Sequence, residues 1–176
     1  TLDAALDGAG EPSARLHDWE LDVDDSALAD LIAAQFPAWA GMSLKRVRST
    51  GTVNHVFRLG ESLQVRVPRY QEVAADLDKE LRLLPRLAPL LSLRVPEPVA
   101  RGDPDADVPV RWAVYRWLDG TPYDDALVTD EVQAAINLAE FVKALRAVDP
   151  VDAPPAGRAP LRTLDEATRE ALLASD

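Results

Sequence analysis

The fold is decided by the segment S-T-G-T-V-N-H-V-F at residues 49–57, together with the L-Q-V-R-V that follows at 63–67. Apolar side chains alternate with others along residues 53–59 and again along 63–67, and this period of two predicts two β-strands. The short segment at 60–62 between them predicts a hairpin turn. Five of the first six residues of the opening segment are small or polar, around Gly51. By itself one glycine is a weak sign of a phosphate-binding loop, and a plain turn is the simpler interpretation.

The composition is that of an acidic protein without cysteine. The 176 residues are 47% apolar, which is enough for one substantial core. The formal net charge of −11 argues against nucleic acid as a partner, because a phosphate backbone attracts a surplus of Lys and Arg. No apolar run reaches the roughly 18 residues of a membrane span, and residues 1–24 lack a secretory pattern, so we expect a cytoplasmic protein. His17 and His55 have no spacing that predicts a metal site.

The order of the predicted elements indicates an α+β fold with a mixed antiparallel sheet. Residues 1–24 show no sustained periodicity and are expected to form a flexible leader. A helix capped by Asp25 or Ser26 precedes the strands and ends before Pro37. The predicted strands are at 44–49, 53–59, 63–67, 99–102 and 112–118, and the further helices at 73–84 (ended by Pro85), 129–148 (capped by Thr129) and 164–174.

Three features of the first half of the chain are candidates for chemistry: the opening loop, a strand cation and a helix carboxylate. Gln64 and Arg66 share one face of the strand at 63–67, where a solvated outer face is the simpler interpretation. Glu80 lies on the apolar stripe of the helix at 73–84, where a carboxylate needs a cationic partner or a path to water. Taken together, a small-residue loop, a cation on the next strand and an acid on the following helix have the order that kinases use to hold nucleotide phosphates.

With these residues in this order, the sequence resembles the aminoglycoside phosphotransferase family, the antibiotic and small-molecule kinases with a protein-kinase-like fold. The matching pieces, spread over residues 25–150, are S-T-G-T-V-N-H-V-F-R-L, L-Q-V-R-V-P-R, K-E-L-R-L-L-P-R-L, V-P-E-P-V, W-A-V-Y-R-W-L-D-G and F-V-K-A-L-R-A-V-D. The resemblance implies a kinase-like nucleotide-binding lobe with its hinge at residues 25–118, with about five antiparallel strands and one helix packed on them. It also implies the start of a helical second lobe at 119–176.

The resemblance assigns roles to individual residues. Residues 49–54 would cover the nucleotide phosphates, Arg66 would contact them, and Glu80 would orient Arg66. The family more often has Lys in place of Arg66, so the phosphate geometry would differ here. Gln64 would face the adenine, and the backbone of residues 116 and 118, in the hinge at 115–118, would pair with it. The implied nucleotide-binding positions are Ser49, Thr50, Gly51, Thr52, Asn54, Gln64, Arg66, Glu80, Tyr115, Arg116, Trp117 and Leu118.

The catalytic segment of the family does not occur in these 176 residues: there is no His-Gly-Asp with an Asn five residues after the Asp, and no later metal-binding Asp pattern. The resemblance implies a parent enzyme that uses Mg²⁺ and transfers the γ-phosphoryl group of ATP or GTP to a hydroxyl of an antibiotic or other small molecule. It implies that this chain alone is an inactive N-terminal fragment that binds no cofactor tightly. Two alternatives stay open: a non-catalytic nucleotide- or protein-binding module, and a structural domain in which Arg66 and Glu80 are surface charges.

The helix predicted at 129–148 is apolar on two sides. One stripe runs from Val132 to Val142, and a second runs from Leu138 to Val148. The small sheet can cover one stripe at most, because a helix presents only one face to a single layer. We therefore expect the other side of residues 130–148 to meet a missing core or a second copy of the chain, which would give a homodimer.

Overall fold

The computed structural model describes residues 20–47, 51–120, 127–149, 164–165 and 168–169. Within them the main elements are α1 (Asp25–Gln35), β1 (Leu44–Arg46), β2 (Asn54–Leu59), β3 (Leu63–Pro68), α2 (Ala74–Leu87), β4 (Pro98–Gly102), β5 (Trp112–Arg116) and α3 (Glu131–Ala147). Short 3₁₀ turns occupy Pro37–Trp39, Gln71–Val73 and Ala88–Leu90. The predicted α+β class and its five strands are confirmed. Most of the helix predicted at 164–174 lies outside the described residues. Residues 1–19 of the predicted leader also lie outside them.

The strands form one antiparallel sheet in the order β1-β2-β3-β5-β4. The register places Phe57 of β2 opposite Val65 of β3, and Val65 opposite Val114 of β5. At the turn between β2 and β3, Gly60 has a φ of 57°, a conformation that costs glycine little because it has no Cβ. The hairpin predicted from the alternating pattern is therefore present.

One face of the sheet is covered by α1, and the larger core lies between them. Phe57 and Trp112 from the sheet are fully buried there, together with Leu28 and Ile32 from the helix. The alternation along β2 and β3 explains this core, because every second side chain of a strand points to the same face. Burial of a large apolar side chain stabilises a fold by about 1.5–3 kcal/mol, so this face supplies most of the stabilisation.

The opposite face of the sheet is covered by α2. Leu77 of the helix is buried against Ala113 and Tyr115 of β5, and Leu81 and Leu84 pack at the edge of the same cluster. Strand alternation places Gln64 and Arg66 on this face as well, so it is covered by a helix and is not a solvated outer face.

Two predicted helix caps are displaced by one residue. The N-cap of α1 is Asp24 and not Asp25 or Ser26, and the N-cap of α3 is Asp130 and not Thr129. Each carboxylate accepts hydrogen bonds from backbone N–H groups of the first helical turn, at 2.8–2.9 Å. The carboxylate that reaches these N–H groups lies one position before the predicted cap in α1 and one position after it in α3, which explains both displacements.

The predicted end of α2 is also wrong. The helix continues through Pro85 to Leu87, and the N–H of Ala88 donates to the carbonyl of Leu84. A proline loses one backbone hydrogen bond, but here it lies in the last turn, close to where the helix ends anyway. Packing of Leu81 and Leu84 against the sheet is available to offset that loss.

Residues 20–24, which the sequence places in the flexible leader, pack against the sheet instead. Val23 belongs to the main core, and Glu20 is buried. The N–H of Leu21 donates to the carbonyl of Arg69 at 2.8 Å. This short stretch has no periodicity of its own, so its burial could not be read from a repeating pattern.

The last long helix, α3, has a different environment. None of its 17 residues, all of which the structure describes, is buried. Val132 is 72% exposed and Leu138 is 58% exposed. Among the described residues no helix is both long and apolar enough to cross a membrane.

Candidate functional site

A small cleft of about 90 Å³ opens between the beginning of β2, the middle of β3 and the first turns of α2. Its walls combine apolar side chains with one guanidinium and two carboxylates. The lining residues are Val53, Asn54, Arg66, Pro68, Val73, Asp76, Leu77 and Glu80.

The structure brings Arg66 and Glu80 together across this cleft. Nη1 of Arg66 lies 3.4 Å from Oε2 of Glu80, with side chains 23% and 40% exposed respectively. A pair this exposed contributes only about 0–1 kcal/mol to stability, because water screens it. The pair therefore does little to hold the fold, although it lies in the cleft at the positions that the sequence predicts for phosphate recognition.

Tyr115 is the third member of this group, and its side chain was not predicted to take part. Its hydroxyl donates to Oε2 of Glu80 at 3.0 Å, and the guanidinium of Arg66 lies 4.6 Å from the centre of its ring. Burial, followed by the nearby charge of Glu80, raises the pKa of Tyr115. The alternation along β5 could have placed Tyr115 on the face of Arg66, but no local pattern indicates the hydrogen bond to Glu80.

A second ion pair lies at the rim of the cleft. Nζ of Lys79 contacts Oδ1 of Asp76 at 2.6 Å, within the first turns of α2. With Arg66 and Glu80, the rim and wall of the cleft carry two cations and two anions. The local charge is therefore balanced although the chain as a whole carries a net charge of −11.

The predicted covering loop is described only in part. Ser49 and Thr50 lie outside the described residues. Gly51 and Thr52 are exposed, and Asn54, the first residue of β2, is half-buried and lines the cleft. The C-terminal end of the loop is thus next to the Arg66–Glu80 pair.

The predicted hinge at 115–118 overlaps the last two residues of β5, and much of its backbone is already paired. The N–H of Arg116 donates to the carbonyl of Glu97 at 2.9 Å, and the N–H of Trp117 donates to the carbonyl of Ser62 at 2.8 Å. Pairing of Arg116 with adenine is therefore limited to its carbonyl group. Leu118 is half-buried, next to these residues in the chain.

Two further predicted residues near the hinge face different surroundings. Gln64 is buried and lies opposite Tyr115 in the β3–β5 register. The ring of Trp117 lies 4.8 Å from the guanidinium of Arg58, so it packs on the β2–β3 hairpin. These contacts hold the start of the hinge against the sheet.

A buried polar cluster at the base of the loop was missed altogether. The guanidinium of Arg69 donates to the carboxylate of Glu20, and both side chains are almost completely buried. The N–H of Arg69 also donates to the carbonyl of Val53 at 2.9 Å, which ties the cluster to the end of the loop. Glu20 and Arg69 are 49 residues apart, so no local pattern joins them.

His55 belongs to this cluster in its neutral form. Nη1 of Arg46 lies 3.0 Å from Nδ1 of His55, and Nε2 of His55 lies 3.0 Å from the carbonyl of Leu21. Because arginine can only donate, Nδ1 accepts, and Nε2 carries the proton that is donated to Leu21. Burial is the largest cause that lowers the pKa of His55, which agrees with a neutral ring.

The described residues do not fit a catalytic metal ion. No group of three or more His, Asp or Glu among them could hold one. The cleft carboxylates, Asp76 and Glu80, are already paired with Lys79 and Arg66. We therefore assign no metal-dependent step to this part of the chain.

Comparison with solved structures identifies similar folds. The GDP complex of wild-type aminoglycoside 2'-phosphotransferase-IIIa is 26% identical, with a TM-score of 0.71, over 85% of this chain and 51% of that one. The GDP and kanamycin complex of APH(2")-IIia is 25% identical, with a TM-score of 0.70, over 83% of this chain and 50% of that one. The apoenzyme of macrolide 2'-phosphotransferase MphH from Brachybacterium faecium is 28% identical, with a TM-score of 0.50, over 86% of this chain and 53% of that one.

The chain thus spans about half the length of these phosphotransferases. No curated protein sequence matches it. Residues 43–176 match the phosphotransferase enzyme family, APH, and so cover well over half of the chain. Together with the antiparallel sheet and the cleft beside α2, this match shows that the chain belongs to the phosphotransferase enzyme family.

Proposed function

We propose that this chain binds the phosphates of ATP or GTP in the cleft between Arg66 and Glu80. In the whole protein, the bound nucleotide would give its γ-phosphoryl group to a hydroxyl of a small molecule. The acceptor class we favour is an antibiotic, because similar structures include a kanamycin complex and a macrolide phosphotransferase.

The observation that carries this proposal is the position of Arg66. Its guanidinium faces a cleft that ends at Val53 and Asn54, the last residues of the predicted covering loop. At about 90 Å³ the cleft is far smaller than the roughly 300–1,000 Å³ of a complete ligand site. It has room for a phosphate group, and the base would lie outside it, toward Gln64 and the hinge.

The chemistry of Arg66 suits a phosphate. A guanidinium has five N–H donors in a rigid fork, and the contact with Glu80 uses one nitrogen. At 3.4 Å this contact is longer than an ordinary hydrogen bond, so it orients Arg66 without saturating it. Arg66 would bind and orient the phosphates, and Glu80 would keep the guanidinium turned into the cleft.

Thermal denaturation with ATP and with GTP tests the binding. A ligand at 100 times its Kd stabilises a protein by about 2.7 kcal/mol, so we expect a clear rise in Tm. Arg66→Ala should abolish this rise. Arg101→Ala is the matched control, because Arg101 is an exposed arginine on β4 that pairs with Asp78 and Asp103. An equal rise in all three proteins, or none in the wild type, would contradict the proposal.

We further infer that this chain alone does not transfer phosphate. The sequence has no His-Gly-Asp with the spaced Asn, and the described residues hold no group suited to a metal. Mg²⁺ and the general base would then depend on residues that are not in this sequence. Incubation with nucleotide, Mg²⁺ and a panel of hydroxyl acceptors checks this inference, and turnover above background would contradict it.

A second candidate function is a non-catalytic nucleotide- or protein-binding module. The exposed apolar side chains of α3 favour it, because such side chains often mark a protein interface. This candidate predicts nucleotide binding that does not depend on Mg²⁺. Because the described residues hold no group suited to a metal, both candidates allow this chain to bind nucleotide without Mg²⁺. Phosphoryl transfer to a hydroxyl by the whole protein, which only the first candidate predicts, distinguishes them.

A further inference from the structure

The geometry points to Tyr115 as a positioning residue for the phosphate-binding pair: its ring orients the guanidinium of Arg66, and its hydroxyl holds the carboxylate of Glu80. This inference rests on the proposed function, because phosphate binding by the Arg66–Glu80 pair is the role proposed there. It assigns Tyr115 a role through its side chain, different from the hinge role that the resemblance implies.

Both contacts of Tyr115 converge on one place. The hydroxyl donates to Oε2 of Glu80 at 3.0 Å, and this is the same oxygen that Nη1 of Arg66 approaches at 3.4 Å. The ring centre lies 4.6 Å from the guanidinium carbon of Arg66. Tyr115 therefore contacts the cation through its ring and the anion through its hydroxyl.

Of the three side chains, Tyr115 is the fixed one. It is fully buried on β5, an inner strand of the sheet, whereas Glu80 is 40% exposed and Arg66 is 23% exposed. Long exposed side chains lose rotamer freedom when they pair, which is why isolated surface pairs are weak. A rigid partner that contacts both members reduces that loss, because it restricts each of them before the phosphate binds.

The hydroxyl of Tyr115 keeps its proton under ordinary conditions. Burial and the adjacent charge of Glu80 raise the pKa of Tyr115, so it remains a donor throughout the neutral range. A buried tyrosine hydroxyl usually has a hydrogen-bond partner, and a backbone carbonyl could serve equally well. Here the partner is the carboxylate of Glu80, which Arg66 also approaches in the cleft. The hydrogen bond therefore satisfies the buried hydroxyl and also restrains Glu80.

The ring of Tyr115 also fits the arginine at position 66. A planar guanidinium stacks on an aromatic face, and its orientation is then set by the ring. A lysine ammonium is a point charge without a plane, so it would gain no defined orientation from the ring. The arginine at position 66 is therefore matched by a ring that can orient it.

A double-mutant cycle tests this role, with the affinity for ATP measured by calorimetry. Tyr115→Phe keeps the ring and removes one hydrogen bond, and we expect it to weaken binding roughly three- to tenfold. Glu80→Ala removes the group through which the hydroxyl acts. In that background Tyr115→Phe should change affinity by less than about twofold, because interacting residues are not additive.

Val114→Ala is the control for a loss of stability alone. Val114 is the neighbouring residue on β5 and is fully buried, but it packs in the core on the α1 face. We expect Val114→Ala to lower Tm and leave the affinity unchanged. If Tyr115→Phe behaves in the same way, or weakens binding equally with and without Glu80, the positioning role is wrong.

A measurement without nucleotide separates this inference from the proposed function. Relaxation of the ¹⁵Nε–H signal of Arg66 reports how firmly the guanidinium is held. We expect an ordered signal in the wild type and a more mobile one in Tyr115→Leu, which removes the ring. If the wild type binds no nucleotide, the proposed function fails, but a mobile Arg66 in this variant still supports the positioning role. Unchanged order in the variant overturns it.

Discussion

The first and last long helices, α1 and α3, are both rich in apolar residues but have opposite surroundings. Leu28 and Ile32 of α1 are buried in the main core, and Asp24 caps the helix at the point where the chain turns onto the sheet. In α3, Val132 and Leu138 remain exposed. Because the apolar content of both helices is clear from the sequence, the difference comes from the surface each helix has available to pack against.

This difference shows what stabilises the α1 side. Residues 20–24, just before α1, add a buried ion pair, one backbone hydrogen bond to Arg69, and carbonyls that accept from Arg46 and His55. In α3 itself, none of the 17 residues is buried. We expect changes before α1 to alter stability strongly, and changes on α3 to alter association.

The largest effect is expected from Glu20→Gln. It leaves the buried guanidinium of Arg69 without a charged partner, which should lower the free energy of unfolding by about 3–5 kcal/mol in urea denaturation. Glu97→Gln is the matched control, because its pair with Arg116 is exposed and should contribute less than about 1 kcal/mol.

A second variant checks the reason for that loss. Combining Glu20→Gln with Arg69→Met removes both charges, and stability should recover in part, because a buried ion pair can be replaced by apolar packing. A loss below about 1 kcal/mol for Glu20→Gln alone would show that residues 20–24 do not anchor α1.

A smaller effect is expected from pH, through His55. Its pKa in the folded protein is lowered by burial, below the ordinary value of 6.5. Below about pH 6.5, His55 takes up a proton in the unfolded chain, whereas in the folded protein it stays neutral until the pH is lower. The contribution of His55 to the free energy of unfolding is therefore complete above about pH 6.5 and is lost as the pH decreases. The loss can reach at most about 1.4 kcal/mol per pH unit.

Urea denaturation of the wild type and of His55→Gln, at pH 7 and pH 5, measures this contribution. Glutamine can accept from Arg46 and donate to Leu21, but it does not titrate. The wild type should lose more stability between the two pH values than the variant. Equal losses would mean that the cluster before α1 does not respond to the protonation of His55.

The smallest effect on stability is expected on α3. Leu138→Gln with Val142→Gln should change the free energy of unfolding by less than about 1 kcal/mol, because both side chains are exposed. If a second copy covers this helix, sedimentation velocity should show a concentration-dependent dimer that this variant loses. Glu140→Gln, on the same helix, should leave the dimer intact. A wild type that stays monomeric at every concentration would contradict a homodimer.

The sequence predicted the sheet well, for a simple physical reason. Period-two alternation along residues 53–67 places every second side chain on the same face of the sheet, so the apolar set shares one core. The short turn between the two strands allows only an antiparallel pairing. The same alternation placed Arg66 on the strand face opposite to the apolar residues, and helical periodicity placed Glu80 on the apolar stripe of its helix. Local repeats within short segments gave these positions, whereas the pairing of the two residues was implied by the family resemblance.

Other features depended on how distant segments dock. The pair of Glu20 with Arg69 and the contact of Tyr115 with Glu80 join residues that share no local pattern, and both exist because a helix or segment lies at one angle on the sheet. The sequence by itself determined the strands, their antiparallel hairpin and the two charges of the cleft. The tertiary structure alone decided which apolar helix is covered and which buried side chain holds the cleft in place, because docking depends on complementary surfaces, and periodicity does not specify them.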